Sequence, residues 1–259
     1  MEALKKKRLA KRLTGFAVVL GFGSVAVALI AAVGTGQGTW DFRAGLSALR
    51  YALFAGIGGV IFALGALLAA RRVANRLMFV NLLVLVVAGA FVLYVGNQVR
   101  IARSVPAIHD ISTNLENWPR FYRLTVRADN LANIPDMGRP ELAALPPRER
   151  WKAIHREYYG DIATVRVPWS VAETVDRARA LADERGWEIV TTDRQRGIVE
   201  AVDTSRFFRF KDNVVIRVMP VNEGGGSIVD MRSISRVGAS DVGVNAARVR
   251  SFIADLQRG

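Results

Sequence analysis

The chain contains no cysteine, which excludes disulfides, thiolate metal sites and a cysteine nucleophile. Histidine is nearly absent too. His109 and His155 are the only two, and one His beside Asp110 falls short of the ligand set that zinc requires. Acid is scarce at the front: residues 1–99 hold Glu2 and Asp41 against 11 Lys and Arg, a net +9, whereas residues 100–259 hold 25 basic against 21 acidic residues, a net +4. The formal charge of +13 therefore belongs chiefly to the front. The rear intersperses its signs without the basic stripe of a nucleic-acid-binding helix, so nucleic acid is not an expected partner. No G-x-G-x-x-G, Walker, G-x-S-x-G or H-E-x-x-H pattern occurs, and no cofactor or metal is expected.

Three long apolar runs occupy the acid-poor front. Leu13–Val33 is about 21 residues without a charge, Tyr51–Ala70 follows, and Leu77 to about Gly96 is interrupted only by Asn81. At ~1.5 Å per helical residue each matches a hydrocarbon core of ~30 Å, so residues 1–99 are expected to be a three-helix transmembrane anchor with the lipid bilayer as its solvent. The basic start raises the alternative of a cleaved signal peptide, but the first run exceeds the usual core of about 7–15 residues. No ionisable residue interrupts the runs, which argues against an ion pathway. Gly21, Gly23 and Ala26 in the first run and Gly56, Gly58, Gly59 and Gly65 in the second are expected to let the helices approach closely.

Cations set the expected orientation, because short loops rich in Lys and Arg stay in the cytoplasm. Lys5, Lys6, Lys7, Arg8, Lys11 and Arg12 precede the first run, and Arg71, Arg72 and Arg76 crowd the link between the second and third. Only Arg43 and Arg50, with Asp41, lie in the first loop. The N-terminus is thus expected in the cytoplasm and everything after Gly96 outside it, in the periplasm or an equivalent extracytoplasmic space; Arg100 and Arg103 weigh against this. The expected location is the inner, cytoplasmic membrane.

Residues 100–160 contain Pro106, Pro119, Pro135, Pro140, Pro146 and Pro147 and show no sustained periodicity. They are expected to form an irregular arm with one short helix, Arg148 to Tyr158, striped by Trp151, Ile154, His155 and Tyr158. Residues 161–259 are better patterned. A strand at Ile162–Val167 precedes a helix opened by the capping box Ser170 and Glu173, whose apolar face is Val171, Val175, Ala178, Leu181 and Ala182, and Gly186 stops it. Strands follow at Trp187–Thr192, Ile198–Val202, Val214–Met219 and Ser227–Arg236, the last two joined by a turn over residues 222–226, before a final helix from Val242 to Gln257. The order β-α-β-β-β-β-α predicts an α+β soluble domain of two layers, a mostly antiparallel sheet under two helices.

Two stretches carry a family resemblance: Pro106-Ala-Ile-His-Asp-Ile-Ser-Thr113 and the run from Arg232 through Gly238, Ser240, Asp241, Gly243 and Asn245 to Arg250. With Phe210-Lys-Asp-Asn-Val-Val-Ile-Arg217, they resemble the signatures of the domain of unknown function 1499 family over about residues 105–257. The resemblance implies relatives with added membrane spans and no established activity, so no catalytic residue is carried over.

Chemistry concentrates where the last strand meets the last helix. Ser240 or Asp241 is placed to cap that helix, and Arg232, Arg236 and Arg248, with Asn245, are placed to converge on a phosphate or carboxylate at its positive N-terminus. The alternative is a structural network in which Asp241 pairs with Arg236 or Arg248. Period-two alternation puts Asp230, Arg232 and Arg236 on one face with Ile228 and Ile234, a charged face expected to lie away from the helices and open to a ligand. His109 and Asp110 are the other candidates, as a hydrolase centre with Asp110 or Asp241. Adjacent residues on a strand point to opposite faces, however, and Asp110 with Ser112 and Thr113 reads as a turn or cap. The expected role is non-enzymatic: an anchored envelope domain that binds a partner protein or small anionic ligand. A structural subunit of a membrane complex is the further alternative.

Overall fold

The structure, a computed structural model, describes residues 2–70, 75–221 and 225–258. Arg71, Arg72 and turn residues 222–224 lie outside the described residues. The chain divides into two compact units, Met1–Arg100 together with Arg206–Arg209, and Ile101–Ser205 together with Phe210–Gly259.

The first unit is built on α1 (Glu2–Gly36), α2 (Phe42–Ala70) and α3 (Asn75–Ser104). All three are long and apolar enough to cross a membrane. Small residues lie at the centre of their mutual contacts: Ala17, Ala63, Val84 and Ala88 are fully buried, with Val18, Phe22, Val60, Phe62 and Leu85 packed against them, while Val19, Ile61 and Phe79 face outward. The glycines expected to allow close approach do so most tightly at two points. A Cβ on Gly59 would lie 2.6 Å from the backbone nitrogen of Gly21, and one on Gly21 would lie 2.7 Å from Val84. Gly23 has nothing within 4 Å and plays no such part. The one polar side chain of the third run is also an internal contact, since Asn81 Nδ2 donates to Thr14 Oγ1 at 2.8 Å and to the Leu77 carbonyl at 2.7 Å.

The second unit is the expected α+β domain, with a six-stranded antiparallel sheet. Its strands are β1 (Asp110–Ser112), β2 (Val165–Val167), β3 (Glu188–Asp193), β4 (Ile198–Thr204), β5 (Lys211–Pro220) and β6 (Ser227–Ser235). The order is β1-β6-β5-β4-β3, and β2 pairs with the other end of β6. Helices α6 (Val171–Glu184) and α7 (Val244–Arg258) cover one face, burying Val175, Ala178, Ala182, Val249 and Phe252 against Val199, Ile216 and Met231. Ser170 accepts from the Glu173 N–H as expected, but only half of the capping box forms, because the Glu173 carboxylate turns outward to Arg177. Gly186, with φ of +74°, makes the left-handed turn out of α6.

The arm departs from expectation in two ways. Asp110 and Ser112 are not a turn but the edge strand β1, in register with Ile234 and Arg232. Its helices are α4 (Pro140–Ala143) and α5 (Pro147–Tyr159). An edge strand leaves every second N–H and C=O unpaired, and α5 supplies the partners. Trp151 Nε1 donates to the Asp110 carbonyl at 2.8 Å, and His155 Nε2 accepts from the Ser112 N–H at 3.3 Å. The i, i+4 spacing of Trp151 and His155, which reads as an apolar stripe, matches the alternation of outward-facing groups on the strand.

Candidate functional site

The charged face of β6 is real, and it is closed rather than open. Asp230 is fully buried and Arg232 is 4% exposed. They lie beneath the segment that follows β1, residues 113–130. Arg232 makes a two-pronged pair with Asp110, Nε to Oδ1 at 2.9 Å and Nη2 to Oδ2 at 2.7 Å, and its guanidinium carbon stands 4.1 Å from the Trp118 ring centroid. Asn130 adds a hydrogen bond to Asp110 at 2.6 Å. Asp230 accepts from Thr113 at 3.0 Å, Thr164 at 2.5 Å and Arg217 at 2.6 Å. Both carboxylates are saturated with donors, as burial of charge demands.

A third carboxylate fastens the same segment. Glu200, fully buried on β4, accepts from the backbone N–H groups of Tyr122, Arg123 and Leu124. Sequence inspection missed it because the donors are main-chain groups about 76–78 positions away, which leave no mark on residue type.

The strand-to-helix corner forms a separate network on the helix face of the sheet. Asp241 is the cap of α7, accepting from Gly243 N–H at 2.9 Å and Asn245 N–H at 2.7 Å, while Ser240 Oγ accepts from Val242 N–H at 3.1 Å. Burial outweighs these bonds and raises the Asp241 pKa. The positive helix end thus already carries an anion, the chain's own. Asn245 bridges strands by donating to the His109 carbonyl at 2.9 Å and Ser235 Oγ at 3.0 Å. Arg248 pairs with Asp203 at 2.6 Å and Asp212 at 2.7 Å. It does not pair with Asp241.

The three arginines therefore do not converge. Arg232 faces the arm, Arg248 faces Ser233 under α7, and Arg236 lies at the exposed end of β6. Arg236 differs in kind, because its Nε donates to Asn213 Oδ1 at 2.7 Å and, among the described residues, no carboxylate pairs with its guanidinium. It lines a cleft of about 210 Å³ with Thr125, Arg127, Asn213, Ile234 and Ser235. Arg127 is held beside it by Asp129 and the Gly238 carbonyl, each at 2.6 Å, and that pairing lowers the Asp129 pKa to about 2.

His109 and Asp110 point to opposite sides of the sheet. His109 Nδ1 lies 3.3 Å from the Ala239 carbonyl and Nε2 is buried without a partner, while the carboxylates of Asp110 and Asp241 are engaged elsewhere. Neither carboxylate orients His109, and a triad-like arrangement requires that contact. Among the described residues no cluster of three metal-ligating side chains occurs.

A comparison with curated proteins returns no match. The family described as "Protein of unknown function (DUF1499)" matches residues 110–256, from the first residue of β1 to near the end of α7. That span contains all three polar networks and more than half of the chain, which therefore belongs to the DUF1499 family.

Proposed function

We propose that this protein is a non-enzymatic envelope protein in which three membrane spans anchor an extracytoplasmic domain, and that the domain binds a small anionic ligand or an acidic group of a partner protein at Arg236. The observation that supports this reading is the contrast among the arginines. Arg232 and Arg248 are neutralised by Asp110, Asp203 and Asp212, whereas Arg236 borders a cleft and keeps its charge uncompensated by any described carboxylate. Arg127 stands in the same cleft, and a guanidinium that borders it is suited to carboxylate or phosphate oxygens. The cation-rich N-terminus supports an inside start and, after three crossings, an outside domain.

Thermal unfolding of the full chain in detergent, with inorganic phosphate or an acidic peptide added, tests the binding half. At a hundredfold excess over the dissociation constant, a ligand bound only to the folded state stabilises it by about 2.7 kcal/mol. The expected result is a rise in midpoint that Arg236→Ala abolishes and His109→Ala retains. An equal rise in the parent and Arg236→Ala proteins would remove Arg236 from the role.

A further inference from the structure

The hairpin that joins β4 to β5 has a composition unlike the other turns of the domain. Its six residues read Ser-Arg-Phe-Phe-Arg-Phe, from Ser205 to Phe210, and Lys211 follows. The loop is a built structure, closed by Ser205 N–H to the Phe210 carbonyl and Phe210 N–H to Ser205 Oγ, both at 2.8 Å. Burying Phe207 would complete such a tip in a soluble domain. Instead Phe207 is 56% exposed, and Arg206 and Arg209 are exposed on either side.

Arg206–Arg209 belong to the compact unit of the three apolar helices. Within that unit the stem of Arg209 lies against the end of α1, where a Cβ on Gly36 would stand 2.6 Å from Arg209 Cγ. Gly36 comes three residues after Val33, the end of the apolar run. At ~1.5 Å per residue this is ~5 Å beyond the hydrocarbon edge, in the headgroup layer. Trp40 lies at the edge of the run just before it, its indole Nε1 donating to the Ala31 carbonyl at 3.3 Å and Thr35 Oγ1 at 3.1 Å. Trp is enriched at that depth because its ring is apolar and its N–H is polar.

We infer that the Arg206–Phe210 tip is a membrane-interface anchor: Phe207 enters the boundary between headgroups and acyl chains, and Arg206 and Arg209 contact the phosphates of anionic lipids. The aromatic supplies apolar burial, the flanking cations match a negative surface, and long arginine stems let the charge remain in water. This inference is independent of the role proposed for Arg236.

The absence of native cysteine makes the test clean. Phe207→Cys in the full chain, carrying a nitroxide, is placed in phosphatidylcholine vesicles with and without phosphatidylglycerol, beside Gln195→Cys on the β3–β4 turn. In anionic vesicles the label at 207 is expected to be reached by oxygen and shielded from a water-soluble nickel relaxer, with the reverse at 195. Adding Arg206→Glu and Arg209→Glu is expected to abolish the shielding, since each arginine contributes a roughly fivefold preference for an anionic surface. Equal nickel access at 207 and 195 overturns the inference, and so does shielding that ignores both lipid charge and charge reversal. Shielding seen in native membranes but not in vesicles would assign the tip to a protein partner and overturn it as well.

Discussion

At the scale of single residues, the domain is defined by how it satisfies charge away from water. Asp110, Asp230 and Glu200 are each almost wholly buried, and each is matched by directed donors rather than by a diffuse field. Such pairs contribute little net stability, yet removing one partner strands the other at a cost of about 3–5 kcal/mol. His155 gives this a pH dependence. Burial, the largest influence, lowers its pKa from 6.5 to about 4 against the opposing pull of Asp110, so the folded ring stays neutral and accepts from Ser112. Between those values the unfolded chain takes up a proton that the folded chain refuses. Stability from this group is therefore complete above about pH 6.5 and is lost as pH falls toward about 4, by up to about 3 kcal/mol. Asp241 acts with the opposite sign, because a raised carboxylate pKa favours the fold as pH falls. Denaturant midpoints at pH 7.5 and 4.5, followed by tryptophan fluorescence, should differ in the parent chain and much less in His155→Gln. Equal acid sensitivity in both would assign the slope to other groups.

At the scale of elements, the arm turns a sheet with one covered face into a sheet with two. Val202, Val215 and Ile234 point away from α6 and α7 and are nevertheless buried, together with Asp230 and Arg232. The arm has little regular structure of its own, so its position depends on side chains that reach its backbone. Glu200 is the clearest case, and Glu200→Gln replaces an acceptor oxygen by an amide donor facing N–H donors. Losing a charged acceptor of this kind costs about 2 kcal/mol, which corresponds to roughly thirtyfold faster local opening. Amide hydrogen exchange at Tyr122, Arg123 and Leu124 should accelerate by that order while α7 amides change little. Unchanged exchange in the arm would show that Trp118 and Asn130 hold it without Glu200.

At the scale of the whole molecule, the chain joins a long, apolar helical unit to an α+β unit whose buried charges Asp110, Asp230, Arg232 and Arg248 are matched by partners of opposite sign. The orientation proposed from the front cations has its own measurement. Alkaline phosphatase fused after Gly259, which is active only outside the cytoplasm, should be active, and a fluorescent protein that folds only in the cytoplasm should stay dark. The converse pattern would place the domain inside and remove the envelope role.

Most of the architecture was legible in the sequence because it is written in local patterns. Three charge-free runs dictate helices long enough for a bilayer, the Ser170 cap and Gly186 stop bound α6, and short apolar runs between turn residues mark β4, β5 and β6. Family membership was legible from the polar residues between Arg232 and Arg250. Three facts were left to tertiary structure: Asp110–Ser112 is an edge strand, the charged face of β6 is covered, and Arg232 and Arg248 are neutralised while Arg236 is not. Periodicity reports which residues share a face, since that depends on backbone geometry over a few positions. What lies on that face depends on contacts between segments as far apart as Asp110 and Arg232, and only the folded chain brings those together.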